Sequence, residues 1–254
     1  ESGETGLSLA LNQVMTEDAF YENLMEIFNV QLLTDKYLSR NLYEGGINLL
    51  DSDDYPNRKW YNDVYAGEEL NSFRSCVRSI TNDAVARAPL ELIRYAAMNN
   101  LPHTTFMTAD YMMVNWYSQQ VYDAELIDPS ASFRQLDEPV CDNNGTQVFY
   151  DPTDFRPARI NKDLQYEMGG IPHAGILTDP MFLNRYPTTS TNRNRHRSRI
   201  VFDYFLDTDI LAIEGDRPGD GIGSEAANPT LLDPACYACH QVMDPVASAF
   251  QHWT

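Results

Sequence analysis

Cys236-Tyr237-Ala238-Cys239-His240 is the stretch around which the rest of the chain reads. Two cysteines separated by two residues and followed at once by a histidine form the c-type haem attachment pattern. Each thiol can bond to one haem vinyl group, the spacing sets both sulfurs under one edge of the macrocycle, and the adjacent His240 imidazole reaches the iron as proximal ligand. With four Cys and five His in 254 residues, chance placement yields on the order of 0.001 copies of this pattern. A zinc site built on Cys236, Cys239 and His240 needs a fourth ligand, and the chain has no second closely spaced Cys or His pair to supply it. A redox dithiol is expected beside a βαβ unit, and no such pattern surrounds the motif. The implied cofactor is one covalent haem c, with a zinc site and a disulfide or dithiol as the alternatives.

The whole chain sets bounds on what such a motif can serve. Its length fits one large domain or two small ones, enough to bury a core, and 43% hydrophobic with 11% aromatic residues is a globular composition. No run approaches the ~20 apolar residues of a membrane span. The balance of 37 acidic to 18 basic residues gives a net charge of −19, which excludes a nucleic-acid partner because phosphates would be repelled. The same charge suits either steering toward a basic partner or a merely solvating acidic surface. The chain begins at Glu1, and a removed signal peptide is expected ahead of it. Haem c is attached outside the bacterial cytoplasm, so the expected location is periplasmic or extracellular. In that compartment Cys76 and Cys141 form an even pair and are expected to be a disulfide; two separate buried thiols are the alternative.

Apolar spacing predicts a helix from Thr16 carrying Phe20, Leu24, Ile27 and Phe28, and a second over 32–42 that Gly45-Gly46 stops. Residues 71–98 read as helical, with Pro89 at a first-turn position, and 108–122 as another helix. Prolines 129, 139, 152 and 157 with Asn143-Asn144-Gly145 predict turns and extended pieces, including a short strand at Val148-Phe149-Tyr150. This places a seam near 150, between a helical domain over 1–150 and a haem c-binding domain over 151–254. Asp179-Pro180 begins a helix with Met181, and a further helix runs through Ile200 and Val201. Asp216, Asp220 and Glu225 lie in a Gly/Pro/Asp-rich loop whose spacing matches no EF-hand. Asp233-Pro234 caps the haem-bearing helix, Asp244-Pro245 ends it, and Val246 to Trp253 starts another that is expected to continue past Thr254. The expected fold is mainly α with long irregular loops: a helical N-terminal region plus a C-terminal mono-haem cytochrome c-like region.

Several blocks carry a family resemblance: Phe20-Tyr21 through Leu33-Thr34-Asp35-Lys36-Tyr37-Leu38, Pro89-Leu90-Glu91-Leu92-Ile93, Thr108-Ala109-Asp110-Tyr111-Met112-Met113-Val114-Asn115, Pro172-His173-Ala174-Gly175-Ile176-Leu177-Thr178, Thr191-Asn192-Arg193-Asn194-Arg195, and Asp233 through His240 to Met243-Asp244-Pro245. Together they resemble the bacterial secreted proteins that pair two domains of unknown function with a planctomycete-type cytochrome c region. The resemblance spans most of the chain and implies a secreted haem protein of the electron-transfer kind.

The iron's sixth ligand decides between chemistries. A His or Met closes the site for electron transfer, whereas an open position admits peroxide or small gases. Among His103, His173, His196 and His252, His173 stands first because its Gly/Pro-bounded loop lets backbone approach a flat cofactor closely; a loop histidine bonded to a backbone carbonyl is the alternative. Met181 is second. Met243, three residues past His240, stays on the same side of the haem if that segment is helical. Arg193 with Arg197, and Arg195 with Arg199, would form two helix faces. Arg193 and Arg197 are the expected haem-propionate partners, unless local acids such as Asp203 and Asp207 claim them. Three functions remain open. One is a single-electron carrier serving a redox partner with a basic surface, possible also as a subunit of a larger electron-transfer complex. The second is a peroxidase- or oxygenase-like haem enzyme with an open distal site. The third is a docking subunit of a membrane-associated assembly, marked by an exposed aromatic patch from Trp116, Tyr117 and Tyr122.

Overall fold

The computed structural model describes residues 2–38, 55–161, 173–212 and 234–253. These are mostly α-helical with a few short strands, and the chain divides into two compact units, Glu1–Phe182 and Leu183–Thr254. The division falls later than the seam expected near 150. The strand after that point, β5 (Arg156–Arg159), pairs antiparallel with both β1 (Met112–Val114) and β2 (Glu125–Leu126), which ties the segment after 150 into the first unit.

In that first unit, α1 (Ser2–Val14) and α2 (Asp18–Leu32) precede α3 (Trp60–Val64) and the 28-residue α4 (Asn71–Met98). Alanines at 84, 86, 88, 96 and 97 favour helix in α4. Its buried residues include Phe73, Val77, Val85, Leu92 and Ile93, and α2, α3, α6 (Trp116–Tyr122), β1 and β3 (Cys141–Asn143) all contact it. Pro89, expected in a first turn, lies inside this helix. It removes one i→i−4 hydrogen bond, and the packing of a buried helix carries the chain through.

Two other expected helices are cut short by local chemistry. Leu33 adopts φ 52°, ending α2, and the N–H of Thr34 donates to Asn29 Oδ1 at 2.8 Å, so a 3₁₀ turn over Thr34–Tyr37 replaces the predicted helix start. The remainder of that prediction, with Gly45-Gly46, lies outside the described residues. The predicted helix over 108–122 becomes α5 (Thr105–Thr108), strand β1 and α6. Asn115 is the cause: its Oδ1 accepts from the N–H groups of Tyr117 and Ser118, and Ser118 Oγ accepts from the Asn115 N–H at 3.1 Å, a reciprocal cap that starts a new helix.

β3 and β4 (Thr146–Val148) form a hairpin over Asn144-Gly145, both at positive φ, as a primed two-residue turn requires. Cys76 of α4 and Cys141 of β3 form a disulfide. Gly175 has φ +53° and lies so close to the Phe106 carbonyl that a Cβ would overlap it. The close backbone approach in this loop is thus to α5's chain, with the Gly175 N–H donating to Ala109 O at 2.9 Å.

α7 (Pro180–Arg185) begins where expected, with the Met181 N–H donating to Asp179 Oδ1 at 2.9 Å. In the second unit α8 (Arg195–Leu206) packs on α9 (Pro234–Ala249). The helix expected through Ile200 and Val201 is α8, and both residues are buried. Arg193 and Asn194 take left-handed conformations, φ 46° and 66°, so α8 starts only after them. α9 runs through Pro245 to Ala249 and does not stop at Asp244-Pro245. Asp216, Asp220, Glu225 and Asp233 lie outside the described residues. Among the described residues no helix is long and apolar enough to cross a membrane.

Candidate haem-attachment site

Pro234 opens α9, a position where its missing N–H costs nothing. Cys236, Cys239 and His240 then share one helix face by their i, i+3, i+4 spacing. Both cysteines carry free, half-buried thiols, and the His240 side chain is 19% exposed. Cys239 Sγ lies 3.7 Å from the Ile210 carbonyl oxygen. Tyr237, on the other face, is 43% exposed.

Two residues complete this cluster. His240 Nδ1 lies 3.1 Å from each Asp244 carboxylate oxygen, an i,i+4 contact along α9. From α8, Arg195 Nε donates to Asp244 Oδ1 at 2.8 Å and a terminal guanidinium nitrogen donates to Oδ2 at 3.2 Å. This fork holds the Asp244 carboxyl below its ordinary value, against the opposing effect of partial burial, and His240 adds to the lowering. An ionised carboxylate only accepts, so the imidazole nitrogen facing it is the protonated one. Nε2 is then the nitrogen whose lone pair is free, the tautomer that a metal-binding histidine with a carboxylate partner adopts. Two free thiols one helical turn apart and a histidine with Nε2 available fit a covalent haem c.

Arg197 has a different task from the one expected. It is 1% exposed. Its Nε donates to Tyr186 O at 2.7 Å, and its terminal nitrogens donate to Asn194 Oδ1 at 2.9 Å, Leu183 O at 3.1 Å and Trp253 O. Its guanidinium carbon stands 5.9 Å from the Phe250 ring centroid. With its donors committed inside the unit, Arg197 is a clamp between chain segments and has none to turn toward a propionate. Arg193 is exposed in the turn ahead of α8.

The two sixth-ligand candidates, His173 and Met181, belong to the first unit. His173 is buried, with Nδ1 3.0 Å from Thr178 Oγ1, which also accepts the Ala174 N–H at 2.8 Å. Burial lowers the His173 pKa to about 4, so it is neutral near pH 7. Met181 is fully buried. The exposed aromatic patch anticipated for a docking subunit is not there: Tyr117 and Tyr122 are fully buried, and Trp116 stacks on Tyr150 with centroids 4.2 Å apart.

Asp244 has no site role in the sequence analysis, and Arg195 enters there only as part of an arginine face with Arg199; neither is expected beside His240. The signal available was the Asp four residues beyond His240, a spacing that brings side chains together on any helix. Among the described residues, no group of three or more His, Cys, Asp or Glu stands together as a metal site. Comparison of the chain with family models, with curated proteins and with solved structures finds no match.

Proposed function

We propose that this protein is an extracytoplasmic mono-haem c-type cytochrome that transfers single electrons. The observation that carries the reading is the His240–Asp244 hydrogen bond on the Cys236-x-x-Cys239-His240 helix, which leaves Nε2 for the iron. When bound, haem supplies a reversible one-electron couple. Cys236 and Cys239 would hold it, His240 would ligate it, and Arg193 is the exposed guanidinium suited to its propionates in place of the committed Arg197. The net charge of −19 suits a redox partner with a basic surface, met singly or within a larger electron-transfer complex. Thioether attachment and the Cys76–Cys141 disulfide both fit a periplasmic or extracellular location. His173 stays the first choice for the sixth ligand and Met181 the second, each tested by substitution with Ala.

Carbon monoxide tests the carrier reading. A reduced protein whose spectrum ignores carbon monoxide has its iron closed by two protein ligands, as electron transfer prefers. Ready binding overturns the reading in favour of a haem enzyme with an open distal position.

A further inference from the structure

We infer that Asp244 is a positioning residue that tunes His240, drawing the Nδ1 proton toward itself so that Nε2 donates more strongly to iron, and that Arg195 limits this pull by sharing the same carboxylate. The inference rests on the haem c reading above and concerns the iron's reduction potential.

Three features lead to it. The contact between His240 and Asp244 is built into α9 by the i,i+4 spacing, so the helix itself fixes the imidazole plane. The acceptor is a full carboxylate, which polarises an N–H more than a neutral carbonyl does. The carboxylate is also held from α8: Arg195 approaches Oδ1 to 2.8 Å, closer than the 3.1 Å of His240 Nδ1. A proximal imidazole with more anionic character stabilises ferric over ferrous iron, because outer hydrogen bonds raise the basicity of the ligand. Arg195, a permanent cation, neutralises part of the charge that does this. The two residues therefore push the potential in opposite directions, although both are polar and both belong to one cluster.

The experiment uses the full chain with haem attached and reads the potential by spectroelectrochemical titration. Asp244→Asn raises the potential, shifting the ferrous-to-ferric ratio at a fixed applied potential by about tenfold, which is about 59 mV for one electron. Arg195→Gln lowers it, by a smaller factor. General loosening of the site would admit water around both variants and move them the same way, so opposite signs separate tuning from packing. A wild-type protein without attached haem defeats the functional reading itself. Attached haem with an Asp244→Asn potential that is unchanged or lowered overturns this inference and leaves that reading standing. If Asp244→Asn does not fold, the Arg195→Gln sign decides: a fall supports the inference, and a rise or no change overturns it. Should neither variant fold, nitrogen NMR of the reduced wild-type protein with labelled histidine reads the His240 Nδ1 proton; a strongly hydrogen-bonded proton supports the inference, and an ordinary one overturns it.

Discussion

Arg197→Met removes the charged clamp of the second unit and keeps most of its volume. The change leaves the carbonyls of Leu183, Tyr186 and Trp253, and Asn194 Oδ1, without this donor. A buried acceptor stripped of its partner costs about 1–3 kcal/mol. The costs do not add fully, since relaxed carbonyls reach water or each other, so the four stripped acceptors together are set at about 3–5 kcal/mol, below their full sum. We expect a loss in that range, against domain stabilities of about 5–15 kcal/mol. It should be confined to the unit that holds Arg197. Hydrogen exchange read peptide by peptide is the assay, with protection in α8 and α9 falling by the corresponding two to four powers of ten, on the scale of ~1.4 kcal/mol per factor of ten, while α4 keeps its protection. A loss below ~1 kcal/mol, the level of an ordinary surface change, or an equal loss in α4, would refute the clamp. Arg197→Lys should recover little, because one ammonium cannot reproduce the planar fork.

The disulfide joins residues 65 apart, and in the loop-entropy treatment a closed loop of that length stabilises by about 4 kcal/mol; replacing Cys76 and Cys141 together by Ser should lower the first unit's melting temperature, and an unchanged melt would contradict this. His173 and Asp179 make that unit pH-sensitive in opposite senses. His173 has its folded pKa depressed from 6.5 to about 4, so the stability from keeping it neutral is present above pH 6.5 and lost as pH falls through 4, on the order of 3 kcal/mol. Asp179 is raised by burial from 3.8 to about 8, so its contribution is present below pH 3.8 and lost as pH rises through 8. Asp179→Asn, which keeps an acceptor for the Met181 N–H, should therefore flatten the alkaline side of a urea-midpoint profile against pH; a profile that still falls toward pH 8 would show another group at work. Gly175→Ala should cost at least 2 kcal/mol in chemical denaturation, from the left-handed backbone and the overlap with the Phe106 carbonyl, whereas a neutral result would mean that this loop yields easily.

What the sequence reveals follows from how local each cause is. The C-x-x-C-H pattern, the Asn144-Gly145 turn and the Asp179 start of α7 depend on residues a few positions apart, and each is readable from residue type alone. Pro89 and Pro245 mislead for one shared reason. A helix-interior proline costs about 3 kcal/mol, and that rule weighs one lost hydrogen bond without the packing of the whole helix around it. The first unit runs past the seam expected near 150 because β5 pairs with β1 across more than forty residues, a contact no local pattern announces. The arginine run shows the same limit more sharply. Alternation identifies two faces, but which face turns inward depends on the left-handed turn at Arg193 and Asn194 that sets where α8 begins. That turn sends Arg197 inward and brings Arg195 to Asp244.

Covalent attachment of haem to Cys236 and Cys239, with His240 at the iron, is read from the absorption spectrum of the protein matured with haem, before and after denaturation in acidified organic solvent. The expected haem spectrum stays with the polypeptide through denaturation and is lost in Cys236→Ser/Cys239→Ser. A chain without a haem spectrum, or one whose haem extracts freely into the solvent, would contradict it.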